Sequence, residues 1–225
     1  MMEFVNEFIA QYGELFVEGT WESIQMTFIA TFFAYVLGVP LGVLLVITKP
    51  GGLHPNTVLN SVLGWVVNIV RSVPFIILLV ALIPITRFIV GTSLGVKGAC
   101  VPLIVTATPF VARMIEQSLE EVDEGLIEAA QSFGASTWQI VWKVQLKESL
   151  PGLIRGAAIT FVTLFGFVAM AGTVGAGGLG DIAIRYGYQR FQTDVMIVAV
   201  VLCVILVQVV QSIGDVVARK VDRRK

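Results

Sequence analysis

The chain has 225 residues, of which 56% are hydrophobic and 14% charged, with 22 glycines, a balance that excludes an ordinary soluble domain. A formal net charge of −1 leaves no electrostatic footprint for nucleic acid. Two cysteines and one histidine provide neither a disulfide framework nor a metal-ligand set.

From the start of the chain, residues 1–20 carry no Lys or Arg and hold Glu3, Glu7, Glu14 and Glu18, so no secretory leader is read there. Phe4, Val5, Phe8, Ile9, Tyr12, Leu15 and Phe16 recur at helical spacing opposite these acids. That pattern predicts an amphipathic helix over 1–19 lying on the external face of a membrane. Apolar runs follow at 24–47, 74–90, 99–115, 156–174 and 195–213. Each approaches the roughly 20 residues that a helix needs to cross a bilayer core, and none alternates as a barrel strand does. The expectation is an all-α integral membrane protein with five transmembrane helices.

Gly38 and Gly42 in the first run, and Gly152 and Gly156 at the start of the fourth, are spaced for close helix approach. Pro40 and Pro74 are positions for a kink or a helix start. The single histidine, His54, falls in the turn Lys49-Pro50-Gly51-Gly52-Leu53-His54-Pro55. Residues 56–90 are too many for one perpendicular helix. A cytoplasmic or interfacial helix over 56–69 is therefore expected to bend at Arg71-Ser72-Val73-Pro74 into the second span. Arg71 then reaches the headgroups or lines the pathway, and Arg113 is read in the same way. The segment from Gly91 to Lys97 has phosphate-loop letters in the wrong order to bind ATP. Cys100 and Cys203 lie in apolar spans as inert thiols.

Between the third and fourth spans, a polar stretch over about 116–153 contains Glu128-Ala129-Ala130-Gln131-Ser132-Phe133-Gly134, then Ser136-Thr137-Trp138-Gln139. Gly134 suits a left-handed helix cap, and Ser136 with Gln139 reads as a capping box. Two short helices joined at a sharp corner are predicted, and a rigid corner of that kind transmits the motion of a docked partner. Beyond it, Val144-Gln145-Leu146-Lys147 closes the loop.

In the fourth span, Met170 lies among Ala169, Ala171 and Gly172. Its adaptable side chain makes it a candidate gate, with Phe167 beside it, or else packing filler. The run Gly175-Ala176-Gly177-Gly178-Leu179-Gly180 has the letters of a dinucleotide fingerprint but follows an apolar span, not a strand. Gly175, Gly177, Gly178 and Gly180 are instead read as a tight reversal at the outer mouth. The tail holds Arg219, Lys220, Arg223, Arg224 and Lys225. Their charge places the tail, 215–225, in the cytoplasm against anionic lipid and the N-terminus outside. Lys49, Lys143, Lys147 and Arg155 then fall inside, and Arg87, Lys97, Arg185 and Arg190 outside. No catalytic constellation or cofactor site is read, so if the chain serves an energised transport the nucleotide chemistry has to come from another subunit.

The spacing from Glu128-Ala129-Ala130 through Gly134 to Val144-Gln145-Leu146-Lys147 resembles the cytoplasmic loop of ABC-importer permeases, with Lys147 where that family has proline. Four further segments narrow the resemblance, over about 20–214, to methionine importer permeases. They are Gly19-Thr20-Trp21-Glu22, the stretch 71–80 from Arg71, Ile89-Val90-Gly91-Thr92-Ser93, and the glycine run after Val174. The acidic N-terminus is somewhat longer than the family's. The resemblance implies a type I ABC-importer permease domain over 20–214 and a homodimer in the bacterial inner membrane. It also implies two cytoplasmic ATPase subunits docked at Glu128, Ala129, Ala130 and Gly134, an external methionine-binding lipoprotein, and D- or L-methionine as solute. A permease for another amino acid or small polar solute, an ion-coupled carrier and a structural membrane subunit are the other readings. Carriers show ionisable residues or broken helices at mid-membrane, and neither is read at the centres of these spans.

Overall fold

A computed structural model describes residues 2–221, with side chains from residue 6 onward. Arg223, Arg224 and Lys225 of the basic tail, and the side chains of Glu3, Phe4 and Val5, lie outside the described residues. Among those described there are helices and turns and no strand. Lipid offers backbone groups no partners, and a helix satisfies them within its own segment.

The helices are α1 (Met2–Thr48), α2 (Thr57–Ser72), α3 (Phe75–Ala81), α4 (Ile83–Val90), α5 (Gly95–Glu120), α6 (Glu124–Ser132), α7 (Thr137–Ile140), α8 (Leu146–Glu148), α9 (Leu150–Gly172), α10 (Gly178–Ile182) and α11 (Thr193–Val221). Two π-helical segments, Val141–Gln145 and Ala183–Tyr188, follow α7 and α10. Among the described residues, four helices are long and apolar enough to cross a membrane, at Asn6–Thr48, Gly95–Glu120, Leu150–Gly172 and Thr193–Val221. The bent pair Thr57–Ser72 and Phe75–Ala81 brings the number to five.

The second span therefore differs from the uniform run expected at 74–90. Val73 is extended (φ −83°, ψ 124°), as a residue before proline prefers, and Pro74 stands at the N-cap of α3 without an N–H to place. The expected bend at Arg71–Pro74 forms there. A second break falls at Leu82, where α4 begins with Pro84 in its first turn. Broken helices are thus present, and their supposed absence is no argument against a carrier.

Contacts divide the chain into two compact units. The first comprises Met1–Thr31, Pro74–Ile104 and Phe161–Val210. Its core joins Tyr12 and Phe16 to Phe165, Leu179, Ile182, Val195 and Ala199, and Gln192 Nε2 donates to Tyr12 Oη at 2.9 Å. This corrects the surface-lying helix expected over 1–19. Glu7, Glu14 and Glu18 are exposed as anticipated and so is Ile9, but Phe8, Tyr12, Leu15 and Phe16 pack on protein, and α1 runs unbroken from that segment into the first span.

The second unit comprises Phe32–Val73, Val105–Thr160 and Gln211–Lys225. Leu45, Val67 and Ala112 centre its core, with Leu41 and Leu63 packed against them. Gly38 and Gly42 let α1 meet α5 closely. A Cβ at Gly42 would stand 2.6 Å from both the Ala112 carbonyl oxygen and Ile115 Cβ. Arg113 has its partners within the protein. Its guanidinium pairs with Glu116 at 2.6 Å and donates to Asn68 Oδ1 at 3.0 Å, because the carboxylate and the α2 side chain supply the partners that lipid lacks.

Gly42→Val is expected to cost about 1–3 kcal/mol through overpacking. It lowers the thermal midpoint of the detergent-solubilised protein, read by tryptophan fluorescence, whereas Val58→Ala, at a position 75% exposed, leaves that midpoint in place.

Candidate functional site

In the polar loop, Asp123 caps α6, its Oδ1 accepting from the Gly125 amide at 2.7 Å. The helix ends in a Schellman pattern. The Ala135 N–H donates to the Ala130 carbonyl at 3.0 Å and the Gly134 N–H to the Gln131 carbonyl at 2.9 Å, with Gly134 in the left-handed region at φ +76°. Two residues later the next cap begins. Ser136 N–H donates to Gln139 Oε1 at 2.8 Å, and Gln139 N–H donates to Ser136 Oγ at 3.4 Å. Both halves of the capping box are made. The corner between α6 and α7 is consequently a bonded joint, and a hydrogen bond of 3.0 Å between His54 Nε2 and Thr137 Oγ1 ties it to the turn after α1. Lys147 is helical within α8.

None of the residues of α6 is buried. Glu128 and Ala129 are exposed, Ala130 is half-buried, and Phe133, beside the cap glycine, is 91% exposed. Trp138 and Trp142 stack at 6.4 Å and are also open. A cavity of about 240 Å³ adjoins α6, lined by Lys49, Glu120, Glu124, Glu128, Gln131 and Gln145 among others. Lys49 Nζ and Glu120 Oε1 pair at 2.7 Å. Gln145 is 3% exposed and its Oε1 has no hydrogen-bond partner. Acidic side chains on a helix with an open aromatic ring at its end suit non-covalent docking of a protein carrying cationic and apolar groups. Phe133 and Gln145 carry no weight in the motif, whose letters are Glu-Ala-Ala and Gly. The signal for Phe133 was a large aromatic placed directly before a cap glycine in a polar stretch.

The other candidates lie in the first unit, except Arg71, which is exposed in the last turn of α2 in the second. Met170 is 51% exposed, and its carbonyl accepts from Thr173 Oγ1 at 2.7 Å. Phe167 stacks on Phe75 at 4.8 Å with the rings 14° apart. Gly175, Gly177 and Gly178 all have positive φ, at 85°, 82° and 79°, and the Gly175 carbonyl accepts from the Gly95 N–H at 2.9 Å. Gly180 serves a close approach instead, because a Cβ there would meet the Ala169 backbone.

Residues 38–225 match the family described as the binding-protein-dependent transport system inner membrane component. The chain belongs to that family. It is thus a multi-pass inner membrane component of a transport system. It is 52% identical over 220 residues, 98% of each chain, to a Vibrio cholerae protein named "Probable D-methionine transport system permease protein MetI". It is 54% identical over 158 residues, 70% of this chain and 73% of the relative, to the Escherichia coli K12 "D-methionine transport system permease protein MetI". Among solved structures, one described as "Inward facing conformations of the MetNI methionine ABC transporter" matches with a TM-score of 0.93 and 52% identity, covering 95% of this chain and 99% of that one. The fold of this family member is accordingly the type I importer permease fold. An amino acid ABC transporter at 18% identity and a TM-score of 0.77 shares the fold alone.

Ser136→Ala is expected to remove one half of the capping box at a cost of about 1 kcal/mol. Amide exchange over 137–140, followed by mass spectrometry, then quickens while exchange within α6 is unchanged.

Proposed function

We propose that this chain is the permease subunit of an ATP-driven methionine importer. Two copies form the path through the inner membrane, two copies of a separate ATPase dock on the polar loop, and an extracytoplasmic lipoprotein delivers D- or L-methionine. The reading is carried by likeness along the whole chain, 52% identity over 98% of it, to a relative named for D-methionine transport. Family membership sets it above the ion-coupled carrier and the purely structural subunit. One copy, with up to five spans among its described residues, has little surface with which to enclose a solute, and a two-fold dimer supplies the second wall.

The mechanism follows from stiffness. With the N-terminus outside and the tail in the cytoplasm, the exposed face of α6, with Glu128 and Ala129 and the adjoining Phe133, meets the ATPase. Closure of the ATPase pair on ATP draws the two α6 helices together. The corner at Gly134 is bonded on both sides, so the displacement passes on as a rigid-body movement. From Leu150, at the end of the loop, α9 runs without a break to Gly172, carrying Met170 near its far end. Two Met170 side chains facing each other across the dimer axis close the path, and they withdraw readily because methionine adapts its shape. The lipoprotein selects the solute, so the path itself requires only weak affinity.

Gly134→Val tests the coupling. A β-branched residue in the left-handed region is strained by roughly 1–2 kcal/mol, enough to open the corner. In proteoliposomes containing ATPase and binding protein, the variant is expected to hydrolyse ATP while methionine uptake falls by about tenfold. Uptake per ATP equal to that of the parent protein would reject the assignment.

A further inference from the structure

The segment Gly19-Thr20-Trp21-Glu22 has no place in the coupling loop, yet the structure gives Glu22 and the Ser23 that follows it a specific task. Within the first unit, the Glu22 carboxylate accepts from the Gly178 N–H at 2.7 Å, and Ser23 Oγ accepts from the Leu179 N–H at 2.9 Å. These are the first two amides of α10, and its N-cap, Gly177, has no side chain with which to cap them. The caps come instead from α1, 156 positions away in the sequence. Glycines make the fit possible. A Cβ at Gly178 would stand 2.6 Å from Ser23 Oγ, and one at Gly177 would meet the Glu22 carboxylate. At Gly19 it would collide with Ile182 and come within 3.3 Å of the Gly178 carbonyl carbon.

On its other side α10 rests on α9. A Cβ at Gly172 would strike the backbone of Gly180 and Asp181, just as one at Gly180 would strike Ala169. Hence α1, α10 and α9 meet backbone to backbone at glycines, and Met170 lies within the last of these contacts, between Ala169 and Gly172. Packed cores of this kind shift between discrete arrangements and do not stretch. Whatever holds α10 to α1 also fixes the Met170 end of α9.

We infer that Glu22, assisted by Ser23, is a positioning residue for transport, clasping the glycine-rich turn to α1 and so setting the Met170 segment. This rests on the reading of that segment as the gate. The test uses the full importer in proteoliposomes, with Glu22→Gln, Glu22→Ala, Ser23→Ala and Met170→Ala measured side by side for amide exchange over 176–182, for ATP turnover without binding protein, and for uptake per ATP.

Glu22→Ala is expected to speed exchange by about tenfold or more, to raise ATP turnover without binding protein severalfold, and to lower uptake per ATP. Glu22→Gln, which retains an acceptor oxygen, restores all three, and Ser23→Ala falls between. Unchanged exchange in Glu22→Ala would refute the clasp. Faster exchange with unchanged uptake per ATP would reduce Glu22 to a structural cap and overturn the proposal. Should Glu22→Ala fail to assemble, Ser23→Ala decides by the same criteria, and a Glu22→Gln variant that behaved unlike the parent protein would overturn the role of the acceptor oxygen. If Met170→Ala has no effect on uptake per ATP while Glu22→Ala lowers it, the clasp stands and the gate reading falls.

Discussion

Backbone amides and carbonyls find no partners in lipid, so every place where a helix stops must bring its own. Corners of this chain, including one in the exposed polar loop, carry such partners. At Val73–Pro74 the break falls where proline has no N–H to satisfy. After α4, Gly91 turns left-handed and donates to the Arg87 carbonyl. At Gly134 the loop closes α6 with two Schellman bonds, and at Gly177 the missing cap is replaced by Glu22 and Ser23 from α1. A corner bonded in this way cannot slacken without exposing polar backbone. The sites proposed for docking and gating are both built beside such joints.

The two π-helical segments follow the same logic. Val141–Gln145 lies within the polar loop, after α7, and Ala183–Tyr188 follows the glycine-rich turn, and π segments concentrate where function holds a helix away from its ordinary packing. The first leaves Gln145 buried with an unpaired acceptor next to the acidic cavity. The second leads to Phe191, a non-glycine residue at φ +57°. Near each site, then, the chain departs from the regular helix that fills its spans.

What was legible in the sequence was what is local. The caps at Gly134 and Ser136 lie within a few residues of the groups they bond, so their letters suffice. The bend before Pro74 was readable for the same reason. Pro84 also signalled the break at Leu82, but the hydropathy of the surrounding run masked it. Contacts between distant segments were not readable. The spacing of Tyr12 and Phe16 requires a cover for one helix face without saying whether lipid or protein provides it, and here Leu179 and Val195 do. Arg113 near a span end suits a headgroup until Asn68, 45 residues earlier, is found beside it. The glycine-rich run spelled out its positive φ values, whereas the partner that needs Gly177 and Gly178 without side chains sits on α1.

The central claim, that the capped corner of the polar loop is the grip of a cytoplasmic ATPase, is tested most directly by a photo-crosslinking residue at Phe133. Inside-out membrane vesicles carrying the assembled importer would be irradiated and the adducts identified by mass spectrometry. The account predicts one dominant adduct joining position 133 to the ATPase subunit. An adduct to lipid or to the external binding protein, with no ATPase adduct in assembled complexes, would contradict it.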